Sequence, residues 1–156
     1  MDAPNSHPPF DILLVEDNPA DVEITMEAFR RSHKGNRVSV CRDGEEALDF
    51  LFQRGQYSKA GTAQRPDLIL LDLNLPRKNG VEVLEQVKTD PRMKEIPVVV
   101  LTTSDREEDV SRCYRVGANS YLTKPVQFDD CLKLVEEIQQ YWLQVSKLPP
   151  KNKTVP

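Results

Sequence analysis

The sequence predicts an α/β domain in which helices cover both faces of an open, doubly wound parallel sheet. Segments with strand and helix patterns alternate five times between about residue 11 and residue 146. Alternation of this kind is typical of parallel strands joined by crossover helices. The aliphatic runs at residues 68–71 and 98–101 are unbroken, which is typical of strands covered on both faces.

The first part of the chain predicts two strands on either side of one helix. Residues 11–16 form the first strand, and a helix opens with Asn18 as the N-cap and Pro19 in the first turn, a favoured pairing. Gly35 ends this helix, because glycine readily takes the backbone conformation that follows a helix. Residues 38–41 then form a second, half-buried strand.

The middle of the chain continues the alternation. Asp43 and Glu46, three residues apart, resemble a capping box at the start of the second helix. Residues 55–66 are polar and contain glycine and proline, so they predict a loop. Residues 67–72 predict the third strand, and Gly80 begins the third helix.

The last third of the sequence supplies two more strands and two more helices. Residues 97–101 predict the fourth strand, and Ser104 with Glu107 matches a capping box for the fourth helix. Residues 120–123 predict the fifth strand, and residues 128–146 predict a long last helix. This helix is about 28 Å long at 1.5 Å per residue, so its C-terminal turns overhang a sheet about 17 Å deep.

Composition limits the classes of function. The 156 residues suffice for one domain with a substantial core, predicted to cover residues 10–146 between a disordered lead-in, 1–9, and a flexible tail, 147–156. The net charge of −4 and the pI near 5.3 argue against a nucleic-acid surface. No apolar run approaches the ~18 residues of a membrane span. Three cysteines without metal-ligand spacing predict reduced thiols and a cytoplasmic protein.

Polar residues follow the predicted strands at positions that bring them together. Glu16 and Asp17 end the first strand, Asp72 the third, Thr102 the fourth, and Lys124 follows the fifth. The carboxyl ends of parallel strands lie along one edge of a sheet, where ligands bind. Three carboxylates, a hydroxyl and an ammonium at this edge can hold a divalent cation and a phosphoryl group on Asp72.

Four motifs in register resemble one family. They occupy residues 14–18, 70–76, 100–103 and 121–125, and they read LVEDN, LLDLNLP, VLTT and YLTKP. In this order and spacing the series resembles the receiver domain of two-component response regulators, over residues 10–145. The resemblance implies a flavodoxin-like sheet in the strand order 2-1-3-4-5.

The resemblance implies a phosphoacceptor rather than a turnover enzyme. Asp72 would attack phosphorus of a phosphohistidine on a histidine kinase, and the domain would assist its own phosphotransfer and dephosphorylation. The resemblance assigns Mg²⁺ to Asp17, Asp72, the backbone carbonyl of Asn74 and, through water, Glu16. Lys124 and Thr102 would then contact the phosphoryl oxygens.

A switch is implied by the same resemblance. Thr102 moves toward the phosphoryl group, and Tyr121 turns inward, so that the surface of the fourth helix, fifth strand and fifth helix reports the state. The alternative is that Tyr121 is a packed aromatic residue on an edge strand. The resemblance also implies a cis peptide bond between Lys124 and Pro125, which would aim the lysine at Asp72.

Two features resemble one subfamily of regulators. The long connection at residues 53–65 and the extended last helix are similar to single-domain regulators paired with cyanobacterial phytochrome-type histidine kinases. This implies a light-sensing pathway, with output by contact with an unnamed downstream protein and no contact with nucleic acid or membrane.

The last helix predicts a homodimer contact in the region of the fourth helix, fifth strand and fifth helix. A near-heptad stripe with aromatic residues on the overhang supports it; the stripe comprises Cys131, Val135, Ile138, Trp142 and Val145. The alternative is that Trp142 folds back on residues 8–10.

Three other functions are weighed against the phosphoacceptor. A phosphatase of the haloacid dehalogenase type needs a second aspartate where this chain has Asn74, and a dinucleotide-binding fold needs a glycine-rich turn after the first strand. A phosphorylation-independent adaptor with the same fold stays open. Taken one at a time, the site residues also have plain structural interpretations as helix-cap, strand or loop residues.

Overall fold

The computed structural model describes residues 9–32 and 35–150. Within these ranges the strands are β1 (Asp11–Val15), β2 (Arg37–Cys41), β3 (Leu68–Leu71), β4 (Val98–Thr102) and β5 (Ser120–Thr123). The α-helices are α1 (Pro19–Ser32), α2 (Gly44–Phe52), α3 (Gly80–Thr89), α4 (Glu107–Val116) and α5 (Phe128–Gln139). A 3-10 turn, Gly55–Tyr57, lies in the long connection before β3, and a π-helical turn, Gln140–Val145, continues α5.

The strands of the described chain form one parallel sheet in the order β2-β1-β3-β4-β5, as predicted. Val15 of β1 is in register with Leu71 of β3, and Leu71 is in register with Val100 of β4. Thr102 is in register with Thr123 of β5. The carboxyl ends of these four strands therefore lie along the same edge.

The core has two layers, one on each face of the sheet. Successive side chains of a strand point to opposite faces, so Leu13 and Ile69 pack with α2, α3 and α4, whereas Ile12 and Leu68 pack with α1 and α5. All five residues of β1 and of β4 are buried. Burial on both faces is why these strands have no alternating polar residues.

Side-chain caps fix where three of the helices begin. The Asn18 carboxamide accepts hydrogen bonds from the amides of Ala20 and Asp21 at the start of α1. Asp43 caps α2 through the Glu46 amide at 2.8 Å, although the Glu46 side chain accepts from Arg42 and not from the cap itself. A complete capping box, Asn79 with Glu82, begins α3 and was not anticipated.

The capping box predicted at Ser104 and Glu107 is wrong. Helix α4 begins at Glu107 itself, and its N-cap residue, Arg106, makes no capping hydrogen bond with its side chain. The Ser104 hydroxyl donates instead to the Asp109 carboxylate at 2.5 Å. The Ser104 oxygen accepts from the Arg106 amide at 3.4 Å, so the serine lies in the loop before the helix and not at its N-cap position.

The extended last helix is present, and the residues of the predicted stripe differ in burial along it. Leu143 is 2% exposed, whereas Val145 is 64% exposed and Trp142 is only partly buried against the α1–α5 core layer. The π-helical turn has more residues per turn than an α-helix, which changes the spacing of the buried positions. Leu143 is therefore the next buried apolar residue after Ile138, five positions later. Tyr141 packs edge-to-face on Trp142 and is 53% exposed.

The predicted domain boundaries fall near the ends of the described ranges. Most of the lead-in, 1–9, lies outside the described residues, as do residues 151–156 of the predicted tail. Phe10 and Leu148 both pack against the α1–α5 core layer. The boundaries themselves stay a prediction.

No helix in the described ranges has both the length and the apolar character that crossing a bilayer requires.

Candidate functional site

The carboxyl edge of the sheet brings the predicted site residues together. Glu16, Asp17 and Asp72 each place a carboxylate oxygen within 4.8 Å of the other two. Among the described residues, this is the cluster of acidic side chains that could hold a metal ion. The Lys124 ammonium lies 3.3 Å from an Asp72 carboxylate oxygen. Residues 52 positions apart in the sequence thus meet in one crevice.

The sheet itself holds these residues in place. The Asp72 amide donates to the Val15 carbonyl at 3.0 Å, and the Lys124 amide donates to the Thr102 carbonyl at 2.7 Å. Both bonds extend the pattern of the parallel sheet by one residue beyond the strand ends. Each functional side chain therefore starts from a backbone position fixed by its neighbouring strand.

Helix α3 approaches the backbone of Asp72 closely enough to require glycine. A Cβ at Gly80 would lie 2.3 Å from the Asp72 carbonyl oxygen, far inside van der Waals contact. The Gly80 amide also donates to the Leu73 carbonyl at 3.0 Å. The loop after β3 is thus closed tightly, and the Asn74 amide donates to the Asp72 carboxylate at 3.2 Å.

Lys124 is surrounded by carboxylates. Its side chain is 8% exposed, and its ammonium contacts Glu16 at 2.6 Å, Asp21 at 2.8 Å and Asp72 at 3.3 Å. Asp21, which lies in the first turn of α1, was not among the predicted site residues. An acidic residue in the first turn of a helix is ordinary, so its position in the sequence does not mark it as part of the site.

Burial and crowding of charge perturb the titration of this cluster. Burial raises the pKa of Glu16 to about 7, and the nearby Asp72 carboxylate adds to this, although the hydrogen bond from Lys124 opposes both. Burial acts to lower the pKa of Lys124, but hydrogen bonds to Asp21 and Glu16 outweigh it and raise the pKa above its ordinary value. The arrangement therefore concentrates negative charge around one buried cation.

The donor set fits a hard divalent cation. Glu16 and Asp72 are nearly buried, at 3% and 6% exposure, whereas Asp17 is exposed and leaves the cluster open to solvent. Carboxylate oxygens are the ligands that Mg²⁺ and Mn²⁺ prefer, and Mg²⁺ usually keeps several waters. A cation would also relieve the repulsion between the carboxylates.

The two predicted switch residues lie in different environments. Thr102 is 0% exposed, and its hydroxyl oxygen has no hydrogen-bond partner among the described residues. The Tyr121 hydroxyl donates to the Ser104 carbonyl at 2.9 Å, and its ring is partly buried against the α2–α4 core layer. Tyr121 is therefore bonded to the loop that follows Thr102.

The predicted cis bond between Lys124 and Pro125 is wrong, because every peptide bond in the described residues is trans. The lysine nevertheless points toward Asp72. The long, flexible side chain and the carboxylates of Glu16 and Asp21 direct the ammonium inward without the cis turn.

Comparison with known proteins matches this geometry to a family. A model described as "Response regulator receiver domain" matches residues 12–136. Response regulator Rcp1 of Synechocystis sp. is 46% identical over 144 residues, which cover 92% of this chain and 96% of Rcp1. The probable methanogenesis regulatory protein FilR2 of Methanothrix harundinacea is 46% identical over 141 residues, covering 90% of this chain and 88% of FilR2.

Solved structures agree over nearly the whole chain. The phosphorylated cyanobacterial phytochrome response regulator RcpA superposes with a TM-score of 0.87 at 45% identity, covering 91% of this chain and 99% of RcpA. The Mn²⁺-bound form of Rcp1 gives 0.86 at 46% identity, covering 91% and 100%. The chain belongs to the response regulator receiver domain family.

Proposed function

We propose that Asp72 accepts a phosphoryl group from a histidine kinase, in a Mg²⁺-dependent reaction, and that the modified domain signals by contact with other proteins. The observation that carries this proposal is the convergence of three carboxylates with a buried ammonium, 3.3 Å from Asp72. A carboxylate is a weak nucleophile, so the reaction depends on position and on neutralising the charge of the transferred group.

The chemistry follows from the residues around Asp72. An Asp72 oxygen forms the new bond to phosphorus as the bond from phosphorus to the imidazole nitrogen of the donor breaks. Mg²⁺, held by Glu16, Asp17, Asp72 and the Asn74 carbonyl, would supply positive charge to the phosphoryl oxygens. Lys124 donates to one phosphoryl oxygen as a compact cation. Thr102, whose hydroxyl has no partner within the described chain, donates to another.

The same residues would also serve removal of the phosphoryl group by hydrolysis. Water, which reaches the site beside the exposed Asp17, attacks phosphorus as the bond from phosphorus to the Asp72 oxygen breaks, so that the carboxylate is restored and inorganic phosphate leaves. Neither step turns over an external substrate. The protein is then a phosphoacceptor whose modified state has a limited lifetime. Because a histidine kinase takes its phosphoryl group from ATP, the transfer would take place in the cytoplasm.

The relatives support one class of kinase. RcpA is described as a cyanobacterial phytochrome response regulator, and it resembles this chain along nearly its whole length. A phytochrome-type histidine kinase is therefore the donor that we propose, with light as the signal. FilR2, which has the same 46% identity to this chain as Rcp1, is described as a probable methanogenesis regulatory protein. The alternative is therefore a histidine kinase whose sensor responds to a signal other than light.

The modified state is read at the surface of α4, β5 and α5. Movement of Thr102 toward the phosphoryl group displaces the loop to which the Tyr121 hydroxyl is bonded. Exposed apolar side chains lie on or beside this surface, with Tyr114 and Phe128 both 51% exposed. They suit contact with a downstream protein or with a second copy of the chain.

Intact-mass measurement tests the phosphoacceptor directly. With Mg²⁺ and acetyl phosphate, the wild type should gain the mass of one phosphoryl group, and Asp72→Asn or chelation of the metal should abolish the gain. Asp130→Asn, which changes an exposed aspartate at the start of α5, is the matched control and should still be modified. A wild type that gains no mass would favour the phosphorylation-independent adaptor.

Light scattering tests the proposed dimer. Beryllofluoride mimics a phosphoryl group on aspartate, so the wild type should become a dimer when it is added with Mg²⁺. A monomer both with and without beryllofluoride would contradict the dimer and leave the phosphoacceptor proposal standing.

A further inference from the structure

The Lys124 ammonium has a partner that phosphoryl transfer does not itself require. Asp21 contacts it at 2.8 Å, closer than the 3.3 Å contact to Asp72. We propose that Asp21 is a positioning residue, which holds the ammonium so that its remaining proton points at Asp72. The inference rests on the proposed function, because it concerns the lysine that would contact the phosphoryl group.

The start of α1 places the Asp21 carboxylate at the crevice. Asn18 caps the helix through the amides of Ala20 and Asp21, which sets the helical register from its first residue. Pro19, with its fixed backbone angle, begins the helix. Asp21 lies in the first turn of α1, and its carboxylate reaches the crevice, where it contacts the Lys124 ammonium.

The number of protons on the ammonium makes this contact consequential. A lysine ammonium donates three hydrogen bonds. Two of its three bonds in the crevice are short, to Glu16 at 2.6 Å and to Asp21 at 2.8 Å. The third, to Asp72, is the longest. Two firm bonds fix the orientation of the ammonium, and the loosely held third proton is the one available to a phosphoryl oxygen.

Glu16 alone does not fix the ammonium. Glu16 belongs to the carboxylate cluster that fits a divalent cation, so its oxygens would have to serve that cation as well as the ammonium. Asp21 lies outside that cluster among the described residues, and its side chain is 29% exposed. It is therefore the carboxylate reserved for Lys124, and its position on α1 links the lysine to a helix rather than to another loop.

Kinetics of modification test the role of Asp21. Asp21→Asn should lower the maximum rate of phosphorylation by acetyl phosphate roughly three- to tenfold, because a partly exposed charged hydrogen bond is lost. The half-saturating concentrations of acetyl phosphate and Mg²⁺ should change little. Asp21→Glu should restore much of the rate. Glu23→Gln, an exposed acid on the same helix, is the control and should behave as the wild type.

Two kinetic results would overturn the inference. An unchanged maximum rate in Asp21→Asn would mean that the contact does not position the lysine. A faster rate would mean that Asp21 competes with the phosphoryl group for the ammonium. Circular dichroism should give the same melting temperature for all variants to within a few degrees, so that a slower rate cannot be assigned to unfolding.

Nitrogen NMR supplies a readout that needs no phosphorylation. In the metal-free wild type, the hydrogen-bonded Lys124 ammonium should exchange slowly enough with water to give its own signal, absent in Lys124→Met. That signal should broaden or disappear in Asp21→Asn and persist in Glu23→Gln. An intact signal in Asp21→Asn would reject the positioning role. Failure of the wild type to gain a phosphoryl group would instead reject the proposed function, leaving the NMR signal to decide on the contact.

Discussion

Each edge of the sheet contains a lysine that makes three hydrogen bonds, largely buried for Lys124 and partly buried for Lys88, but the partners differ in charge. At the carboxyl edge, Lys124 contacts three carboxylates of the described chain. At the amino edge, the Lys88 ammonium donates to the carbonyls of Lys94 and Ile96 and to the Asn119 side chain, at 2.8–3.0 Å. The two lysines have the same geometry of donation and opposite electrostatic surroundings.

Their pKa values shift in opposite directions. Burial lowers the pKa of Lys88 to about 8, since no carboxylate compensates for lost hydration. For Lys124 burial acts in the same sense, but the hydrogen bonds to carboxylates outweigh it and raise the pKa. The charge of the hydrogen-bond partners, rather than burial, therefore decides the direction in which the pKa of each lysine shifts.

Lys88 joins three elements at the amino edge. Its partner Asn119 also accepts a hydrogen bond from the Val98 amide at 2.9 Å, so the end of α3 is tied to the first residue of β4 and the turn before β5. A Cβ at Gly117 would lie 3.0 Å from the Lys88 side chain, so the turn after α4 packs directly on it. The three acceptors of Lys88 are neutral. Charge at the amino edge lies elsewhere, at the start of β1 and β2, where Arg37 pairs with Asp11 at 2.7 Å.

The largest difference between the edges should appear in phosphorylation. Lys124→Met, assayed with Mg²⁺ and acetyl phosphate, should lower the rate about a hundredfold, because it removes a preorganised cation from the transferred group. Lys88→Met should stay within about twofold of the wild type. Comparable losses in both variants would show that the two lysines act through folding and not through their partners.

The stability of the fold should depend on Lys88 more than on an exposed lysine. Lys88→Met removes three hydrogen bonds, including those to the carbonyls of Lys94 and Ile96, and should lower the free energy of unfolding by about 2 kcal/mol. Lys133→Met, which alters an exposed lysine on α5, is the control and should be nearly neutral. Urea titration measures both, and a neutral Lys88→Met would mean that the amino edge does not depend on this residue.

The carboxyl edge should also respond to pH. Because burial raises the pKa of Glu16 to about 7, a proton competes with the cation below that value and is gone above it. Affinity for Mg²⁺ should therefore fall about tenfold from about pH 8 to about pH 6. Calorimetric titration in buffers of different ionisation enthalpy would detect the released proton. An affinity that does not change over this interval would contradict the assignment.

The smallest effect should come from Thr102. Its buried hydroxyl lacks a partner in the described structure, so Thr102→Val should leave the resting protein equally stable or more stable by about 1 kcal/mol. The same variant should bind beryllofluoride more weakly, because the hydroxyl is needed only when a phosphoryl group is present. Unaltered beryllofluoride affinity would remove Thr102 from the phosphoryl site.

The sequence predicted the carboxyl edge better than the amino edge, for a physical reason. Strands buried on both faces leave unbroken aliphatic runs, and the polar residue that ends each run marks the edge where ligands bind. Asp72 and Thr102 were found in this way, whereas Lys124 follows a weaker run, that of the partly buried β5. Lys88 has no such marker, since its partners are two backbone carbonyls and an amide that only the folded chain brings together.

Other features that were not predicted correctly also depend on contacts formed only in the folded chain. Asp21 looks like any acidic residue in the first turn of a helix, and its contact with Lys124 depends on a separation of 103 residues. The Ser104 cap was wrong because α4 begins three residues later, at Glu107, which leaves the serine in the preceding loop. The inward position of Leu143 depends on a π-helical turn, for which the sequence gives no periodic signal.

Chemical mapping of the modified residue tests the central claim most directly. Borohydride reduces an aspartyl phosphate to homoserine, so protein treated with Mg²⁺ and acetyl phosphate, then reduced and digested, can be read by tandem mass spectrometry. Homoserine should appear at position 72 and at no other acidic residue. Homoserine at Asp17, or an unaltered Asp72 in protein that has gained a phosphoryl group, would contradict the account.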